Sequence, residues 1–273
     1  CRAIPVIDYT RKGLIIMIEK FKTLLWFGKR PNFWRHALVL AKRKFETNHD
    51  SPALRQEARD WAASRAVSVP EALAKVGLGA TSDTLECLDQ TAIEAAHLRA
   101  AKSRVKMGGA GDLSLLFAAS HRLGATLAIE TGVAYGWASL AILEGMKANT
   151  ESHLVSVDMP YPKLKNEDFV GIVVPGYLRK GWTLIREPDR RGIQKATQII
   201  GGEVDLVHYD SDKSWQGRRY GYPLLWDALK SGGLFISDDI QDNLFFRDFV
   251  TKKSVPFAVT FSEGKFVGVA LKQ

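Results

Sequence analysis

Residues 204–243 read VDLVHYDSDKSWQGRRYGYPLLWDALKSGGLFISDDIQDN, and this stretch decides the fold. Its two short apolar runs, 204–209 and 233–237, are separated by a helical pattern and a Gly-Gly turn, which predicts two parallel strands joined by a helix. The first run ends on Asp210 and the second on Asp238. Ligands bind at the carboxyl edge of open α/β sheets, so we expect both acids to lie in a binding site.

Further charged residues follow the same two strands. Carboxylate oxygens are the ligands that hard divalent cations prefer, which makes Asp210, Asp238 and Asp239 candidate metal ligands. Lys213 is the candidate acid/base group beside them. Two simpler interpretations stay open: Lys213 forms only an ion pair with Asp210 or Asp212, and Asp239 only caps the helix that follows it.

The composition is that of a globular protein with a full core. The chain has 273 residues, of which 46% are hydrophobic and 25% charged. Cys1 and Cys87 are the two cysteines and belong to no Cys/His cluster, which argues against a disulfide scaffold and a thiolate zinc site and fits a reducing compartment. The sequence begins at Cys1 rather than at a methionine, so what precedes it is open.

The positive charge is concentrated at the N-terminus. Residues 1–49 hold eleven Lys or Arg and three Asp or Glu, a balance that equals the net charge of +8 of the whole chain. Within this segment, residues 11–45 predict a pair of basic amphipathic helices, Leu14–Phe27 and Phe33–Phe45, broken by Gly28 and Pro31. Such a pair either packs on its own domain or on a second subunit, or lies on an anionic membrane surface. Neither helix is long and apolar enough to span a membrane.

Helical periodicity continues over residues 51–104, with Ala-rich runs at Pro52–Arg65, Pro70–Val76 and Leu85–Ala101 that we interpret as cap helices. We therefore predict a helical N-terminal extension over residues 1–107 and a main α/β domain over residues 108–273.

The main domain opens with a helix capped by Asp112, followed by a short strand that ends on Glu130. The sequence TGVAYGWAS, residues 131–139, then forms a strand-to-helix turn with glycines at 132 and 136. Glycines let the backbone approach a ligand closely, and the turn aims a helix N-terminus at it. Its spacing is not G-x-G-x-x-G, so a dinucleotide site is disfavoured, and a purely structural turn stays open.

Two more acids follow the next strands. Asp158 ends the strand His153–Val157, where an acid can bind the ribose of a nucleoside or simply cap the loop. Asp189 follows the strand Trp182–Arg186 and could frame an adenine. Residues 161–180, which include Lys163 and Lys165, are a candidate lid or substrate loop. The runs Phe257–Phe261 and Lys265–Lys272 predict a closing hairpin.

From about residue 108 onward the chain resembles class I S-adenosylmethionine-dependent methyltransferases, and most closely their metal-dependent O-methyltransferases of the catechol, caffeoyl-CoA and macrocin-like types. The resemblance implies a doubly wound, Rossmann-like α/β sheet of seven strands with a C-terminal antiparallel hairpin. It rests on residues 130–139, Asp158, residues 205–213 and residues 232–239 in the family's order and spacing.

The resemblance also assigns residues. It implies a metal held by Asp210, Asp238 and Asp239, Lys213 as general base, and a cofactor site formed by Glu130, Gly132, Tyr135, Gly136, Ser139, Asp158, Asp189 and Asp210. Asp239 departs from the asparagine of the catechol-like enzymes. It resembles the macrocin-like enzymes, in which the base is often not this lysine. His208, on the strand face of Asp210, is either catalytic or a core histidine.

These residues together predict a Mg²⁺-dependent O-methyltransferase that uses S-adenosylmethionine and acts on a hydroxyl of a sugar, glycan or related small molecule. Two alternatives stay open: an RNA methyltransferase, disfavoured because the basic segment lies outside the α/β domain, and an inactive cofactor-binding module attached to a membrane or partner. We expect a cytoplasmic protein whose partner is a small-molecule or glycan acceptor and not a nucleic acid. Peripheral membrane contact through residues 11–45 and a homo-oligomer both stay open.

Overall fold

The computed structural model describes residues 21–43, 48–161 and 166–273. Its centre is a seven-stranded sheet in the order β3-β2-β1-β4-β5-β7-β6. Strands β1 to β5 are parallel, and β7 runs antiparallel to both β5 and β6. The predicted α/β class and C-terminal antiparallel hairpin are confirmed. The strands are β1 Leu127–Thr131, β2 His153–Val157, β3 Trp182–Ile185, β4 Val204–Tyr209, β5 Leu229–Ser237, β6 Phe257–Ser262 and β7 Lys265–Leu271.

Helices cover both faces of the sheet. In chain order they are α1 Trp34–Arg43, α2 Pro52–Ala63, α3 Val69–Lys75, α4 Gln90–Ala100, α5 Leu113–Arg122, α6 Trp137–Met146, α7 Asp189–Ile200, α8 Trp215–Ala228 and α9 Phe245–Lys253. Residues 21–28 are also helical. The sequence predicts that the first of the two N-terminal helices begins at Leu14, and residues 14–20 of this prediction lie outside the described residues.

The parallel strands are apolar along their length because both of their faces are buried. Ile129 and Val207 point into one core with the aromatic side chains of α8 and α9. Leu154 and Leu206 point into the other core with α5 and α6. Alternation of side chains along each strand thus builds two cores from one sheet.

Local signals in the sequence set several helix starts. Asp112 accepts a hydrogen bond from Leu115 N at the first turn of α5, as predicted. Ser51 and Ser68 cap α2 and α3 in the same way, each with a proline at the first or second helical position. The segment before β3 contains two 3₁₀ turns, Glu167–Phe169 and Gly176–Gly181. The predicted lid residues Lys163 and Lys165 lie outside the described residues.

The cap helices belong to the same compact unit as the sheet. That unit comprises the described residues from 48 to 160 and from 166 to 273. Ala72 and Leu73 of α3 and Ala96 of α4 are fully buried in one of its two cores. The domain predicted to begin at residue 108 is therefore continuous in packing with the helices before it. Helix α1 and residues 21–28 fall in a second, smaller unit.

Candidate active site

Three neighbouring strands end at one edge of the sheet in matched register. Thr131 of β1 is paired with Tyr209 of β4, which is paired with Ser237 of β5. The next residues continue this alignment, since Asp210 N donates to Thr131 O at 2.8 Å and Asp238 N donates to Tyr209 O at 3.0 Å. The predicted convergence of a glycine turn and two acidic strand ends is present in the fold.

The glycine turn leaves β1 and enters α6 in a conformation that requires its glycines. Gly132 has φ +83°, and a Cβ built there would lie 2.3 Å from the backbone oxygen of Asp210. Gly136 has φ +90° and precedes α6, whose N-terminus has no side-chain cap. The turn thus packs tightly on the end of β4, and the uncapped helix N-terminus can receive an anionic group of a ligand.

Glu130 and Ser139 lie beneath this turn. Both side chains are fully buried, and Glu130 Oε2 accepts hydrogen bonds from the hydroxyls of Ser139 and Ser156. Glu130 Oε1 has no hydrogen-bond donor among the described residues and lies 3.5 Å from His208 Nδ1. These side chains tie β1, β2 and α6 together under the candidate cofactor site.

Asp158 connects the end of β2 to the turn. Its carboxylate is buried, accepts a hydrogen bond from Val133 N at 3.0 Å, and forms an ion pair with Arg186. This arrangement positions the turn. It also brings Asp158 to the edge at which the resemblance places a ribose-binding acid.

Tyr135 faces a different element. Its hydroxyl donates to Val105 O at 2.6 Å and accepts from Met107 N at 3.3 Å. Tyr135 thus fastens the segment after α4 to the glycine turn.

Asp189 lies at the start of α7 and accepts a hydrogen bond from Ser211 Oγ at 2.6 Å. Ser211 Oγ is also 2.9 Å from Thr131 Oγ1, so three strand connections meet here. Burial, together with the charges of Asp212 and Asp158, raises the pKa of Asp189 to about 6. The structure therefore brings Asp158 and Asp189, which follow β2 and β3, close to Ser211 and Asp212 in the loop after β4.

Asp210 belongs to the acidic cluster, in which Lys213 lies between two of the candidate metal ligands. Lys213 Nζ is 3.0 Å from Asp210 Oδ1 and forms an ion pair with Asp239, and Lys265 Nζ lies 3.5 Å from Asp239 Oδ2. Asp238 is almost completely buried and faces His208 instead.

Electrostatics show which groups hold protons. Burial and the charge of Asp238 raise the pKa of Asp210 to about 6. Burial disfavours the charge on Lys213, but the carboxylates of Asp210 and Asp239 outweigh it and raise the lysine pKa above its ordinary value. Burial likewise opposes the charge on His208, but Asp238 and Glu130 raise its pKa to about 10. Lys213 and His208 are therefore cations at neutral pH.

Asp210, Asp238 and Asp239 have the oxygen ligands that a divalent cation prefers, but their side chains are not arranged around a common point. Asp210 Oδ1 is an anionic oxygen that faces the Lys213 ammonium at 3.0 Å, and Asp238 and Asp239 carry further carboxylate oxygens. No group of three or more His, Cys, Asp or Glu side chains in residues 21–43, 48–161 and 166–273 is arranged as a metal site. The reason is visible at Lys213, whose ammonium lies between Asp210 and Asp239.

Several residues that hold this edge carry no sequence signal. Arg218 of α8 is fully buried and donates to the backbone oxygens of Asp238 and Asp239. Asp50, before α2, accepts hydrogen bonds from Trp215 N at 3.0 Å and Asn243 Nδ2 at 2.9 Å. Nothing in the sequence distinguishes Arg218 from Arg219, and Asp50 is 165 residues from its partner Trp215.

Comparisons with known proteins agree with this architecture. Residues 129–240 match a family described as a methyltransferase domain. An O-methyltransferase from Bacillus cereus in complex with S-adenosylhomocysteine superposes with a TM-score of 0.53 and 16% identity, over 75% of this chain and 100% of that one. TomG from Streptomyces achromogenes, an O-methyltransferase involved in tomaymycin synthesis, gives 0.53 and 13%, over 68% and 91%. No curated protein sequence matches significantly.

The fold, the glycine turn and the matched domain together define the class. The chain contains a class I, S-adenosylmethionine-dependent methyltransferase domain, and the family resemblance seen in its sequence is confirmed. The match begins at Ile129 in β1 and ends at Ile240 after the acidic pair, so it includes both the turn and the cluster.

Proposed function

We propose that this protein is a Mg²⁺-dependent O-methyltransferase that moves a methyl group from S-adenosylmethionine to a hydroxyl of a sugar, glycan or related small molecule. The observation that carries the proposal is the shared edge: Asp210 and Asp238 follow adjacent strands, beside the Gly132–Gly136 turn. The O-methyltransferases with similar folds from Bacillus cereus and Streptomyces achromogenes support a hydroxyl acceptor. The Asp238-Asp239 pair, which resembles that of macrocin-like enzymes, supports a sugar-like one.

The cofactor residues divide into two roles. The uncapped N-terminus of α6 and the backbone of residues 132–136 would bind the amino-acid part of S-adenosylmethionine, and Asp158 and Asp189 would face its nucleoside. Glu130 and Ser139 support the turn from below. When bound, S-adenosylmethionine supplies an electrophilic methyl group on a sulfonium.

Asp210, Asp238 and Asp239 would hold the cation. When bound, Mg²⁺ would lower the pKa of the acceptor hydroxyl. Lys213 retains its proton while it is paired with Asp210 and Asp239, because both carboxylates raise its pKa. It could act as a base only if a bound cation neutralised these carboxylates and so lowered the lysine pKa. His208 is fully buried between Glu130 and Asp238, which makes it a positioning residue in this proposal.

The test is methyl transfer from labelled S-adenosylmethionine to a panel of sugars, with EDTA, with added Mg²⁺ and in variants. We expect EDTA to abolish transfer, Mg²⁺ to restore it, and Asp210→Asn to reduce it by about 10²-fold or more. Asp227→Asn, an exposed position on α8, is the matched control. Calorimetric titration of Mg²⁺ into wild type and Asp210→Asn tests the cation site without activity. Transfer that survives both EDTA and Asp210→Asn would exclude the metal-dependent mechanism.

We further propose that the N-terminal unit contacts an anionic membrane surface. Its described residues expose apolar side chains at Phe21, Leu24, Trp34 and Leu38 beside basic ones. None of the helices in the described part of the chain has the length and hydropathy of a membrane-spanning segment.

Sedimentation with vesicles tests this attachment. We expect the full chain to sediment with phosphatidylserine vesicles and less with phosphatidylcholine vesicles, and Leu24→Glu/Leu38→Glu to release it. Leu98→Glu, at an equally exposed leucine of α4, should have no effect. Sedimentation that is insensitive to lipid charge or to the double substitution would contradict the proposal. Salt-dependent RNA binding through this unit would favour the RNA-directed alternative.

A further inference from the structure

A polar groove of about 410 Å³ lies along α2, in the size range of small-molecule sites. Arg55 and Arg59 of α2 line it. Gln241 and Asp242, which follow the acidic pair, and Gly264 in the β6–β7 turn line it as well.

The groove adjoins the acidic cluster. Gln241 lines it and donates from Nε2 to Asp239 Oδ1 at 3.0 Å. Gly264 precedes Lys265, whose ammonium lies 3.5 Å from the same carboxylate. Asp50, which also lines the groove, is hydrogen-bonded to Trp215 N, two residues after Lys213. The acidic cluster does not itself line the groove, so a molecule bound there would have to extend past Gln241 to reach the carboxylates.

The two arginines stand one helical turn apart and are both exposed. Within the described chain neither guanidinium has an ion-pair or hydrogen-bond partner. The acids of the same helix are engaged elsewhere, since Glu57 pairs with Arg247 and Asp60 accepts from Gln56. Arg122 shows the contrast, because it pairs with both Asp83 and Glu86.

Two adjacent guanidinium groups without carboxylate partners are suited to an oxyanion. Arginine binds phosphate and carboxylate groups through paired N–H donors, and a bound anion relieves the repulsion between the two cations. The Asp242 carboxylate also lines the groove and can accept hydrogen bonds from hydroxyl groups, whereas the Gln241 side chain already donates to Asp239 and accepts from Phe266 N. The groove thus combines groups for anion recognition with a group for hydroxyl recognition.

We propose that this groove binds the methyl acceptor, and that Arg55 and Arg59 recognise a phosphate or carboxylate group on it. The acceptor class is then a hydroxylated anion such as a sugar phosphate or a uronic acid. The assignment of the ligand as an acceptor rests on the proposed O-methyltransferase function. The proposed binding of a hydroxylated anion is independent of that function and rests on the groove alone.

The first experiment measures binding of glucose 6-phosphate, glucuronate and glucose to the full chain by calorimetry. We expect at least one anionic probe to bind about tenfold or more tightly than glucose, and the preference to disappear in Arg55→Gln/Arg59→Gln. Arg65→Gln, two residues beyond the end of α2 and outside the groove, should change affinity less than about twofold. Comparison of the affinities for glucose 6-phosphate and glucuronate identifies whether the groove recognises a phosphate or a carboxylate group.

The outcomes separate this proposal from the function on which it builds. No preference for either anion, or a preference that survives the double substitution, would overturn the groove assignment. Charge-dependent binding without methyl transfer to any hydroxyl would sustain the anion site and overturn its assignment as an acceptor site. Methyl transfer with unchanged KM in Arg55→Gln/Arg59→Gln would sustain the function and overturn the groove. Unfolding curves of Arg55→Gln/Arg59→Gln and of Arg65→Gln verify that these exposed substitutions leave the fold intact.

Discussion

His208 Nε2 lies 3.3 Å from Asp238 Oδ1, and the same imidazole approaches Glu130 with its other nitrogen. All three side chains are buried. The imidazolium therefore joins the strand that leads into the glycine turn to the strand that leads into the acidic pair. Two parts of the candidate site, the cofactor side and the acidic side, share this one buried cation.

We predict that His208→Ala lowers the free energy of unfolding by about 3–5 kcal/mol, because it leaves two buried carboxylates without their cation. Urea denaturation at pH 7 measures this loss. His121→Ala, at an exposed histidine of α5, should change stability by less than about 0.5 kcal/mol. Equal stability of the two variants would mean that the buried contacts of His208 contribute nothing.

Gly132 lies in the glycine turn and Gly124 lies outside it. Comparison of the two separates the cost of a left-handed backbone from the cost of a steric clash. Both have positive φ, but a Cβ at Gly124 meets no atom within 4 Å, whereas one at Gly132 meets the Asp210 carbonyl. We expect Gly124→Ala to cost about 1–2 kcal/mol for the left-handed backbone. Gly132→Ala should cost about 1–3 kcal/mol more, for overpacking.

Thermal unfolding and calorimetric titration of S-adenosylmethionine measure both effects. Gly132→Ala should also lose cofactor affinity, and Gly124→Ala should keep it. A Gly132→Ala protein that is as stable as Gly124→Ala and binds the cofactor normally would refute the close approach of the turn to β4.

Asp189 gives a pH dependence with a definite sign. Since its pKa is raised to about 6 in the folded protein, the folded state keeps a proton that the unfolded chain releases near pH 4. Its contribution to the free energy of unfolding therefore falls as the pH rises from about 4 to 6 and stays constant above that.

Asp189→Asn removes this pH-dependent loss of stability and keeps an oxygen that can accept a hydrogen bond from Ser211. We predict that the variant is more stable than the wild type at pH 7–8 by at most about 2–3 kcal/mol, the free energy of a shift of about two pKa units. The difference should vanish near pH 4. Denaturation at several pH values measures it, with Asp227→Asn as a control, and a difference independent of pH would contradict the argument.

Asp205 shows the opposite dependence at the other end of the sheet. It accepts hydrogen bonds from Thr126 N at 2.7 Å and Leu127 N at 2.9 Å and forms an ion pair with Lys230. Burial favours its neutral form, but Lys230 and the two N–H donors outweigh burial and lower its pKa. The stabilisation is present above the ordinary pKa of an aspartate and is lost as the pH falls through the lowered value.

We predict that Asp205→Ala costs about 1–3 kcal/mol at neutral pH for each buried donor left unsatisfied. Protonation of the wild-type carboxylate should narrow this difference in acid. Lys230→Met tests the cause, because it should raise the pKa of Asp205 and move the loss to higher pH. The measurement is urea denaturation from pH 2 to pH 7, and a constant difference over that range would be inconsistent with the prediction.

The features that could be predicted from the sequence are those set by interactions between residues close together in the chain. Apolar runs such as Val204–Tyr209 predict strands because both faces of a parallel strand must be buried. Asp112 predicts a helix start because its carboxylate reaches a backbone N–H three residues later. The bounds differ by a few residues, as at α4, which begins at Gln90 rather than Leu85, because tertiary packing sets where a helix stops.

The sequence by itself thus determined the order of strands and helices, the glycine turn, and the acids that follow β2, β4 and β5. Only the tertiary structure decided that Lys213 lies between Asp210 and Asp239, that His208 bridges Glu130 and Asp238, and that Arg55, Arg59 and Gln241 line one groove. The reason is physical. Backbone conformation follows from neighbouring residues, whereas contacts between charged side chains depend on how strands and helices far apart in the chain are brought together by packing.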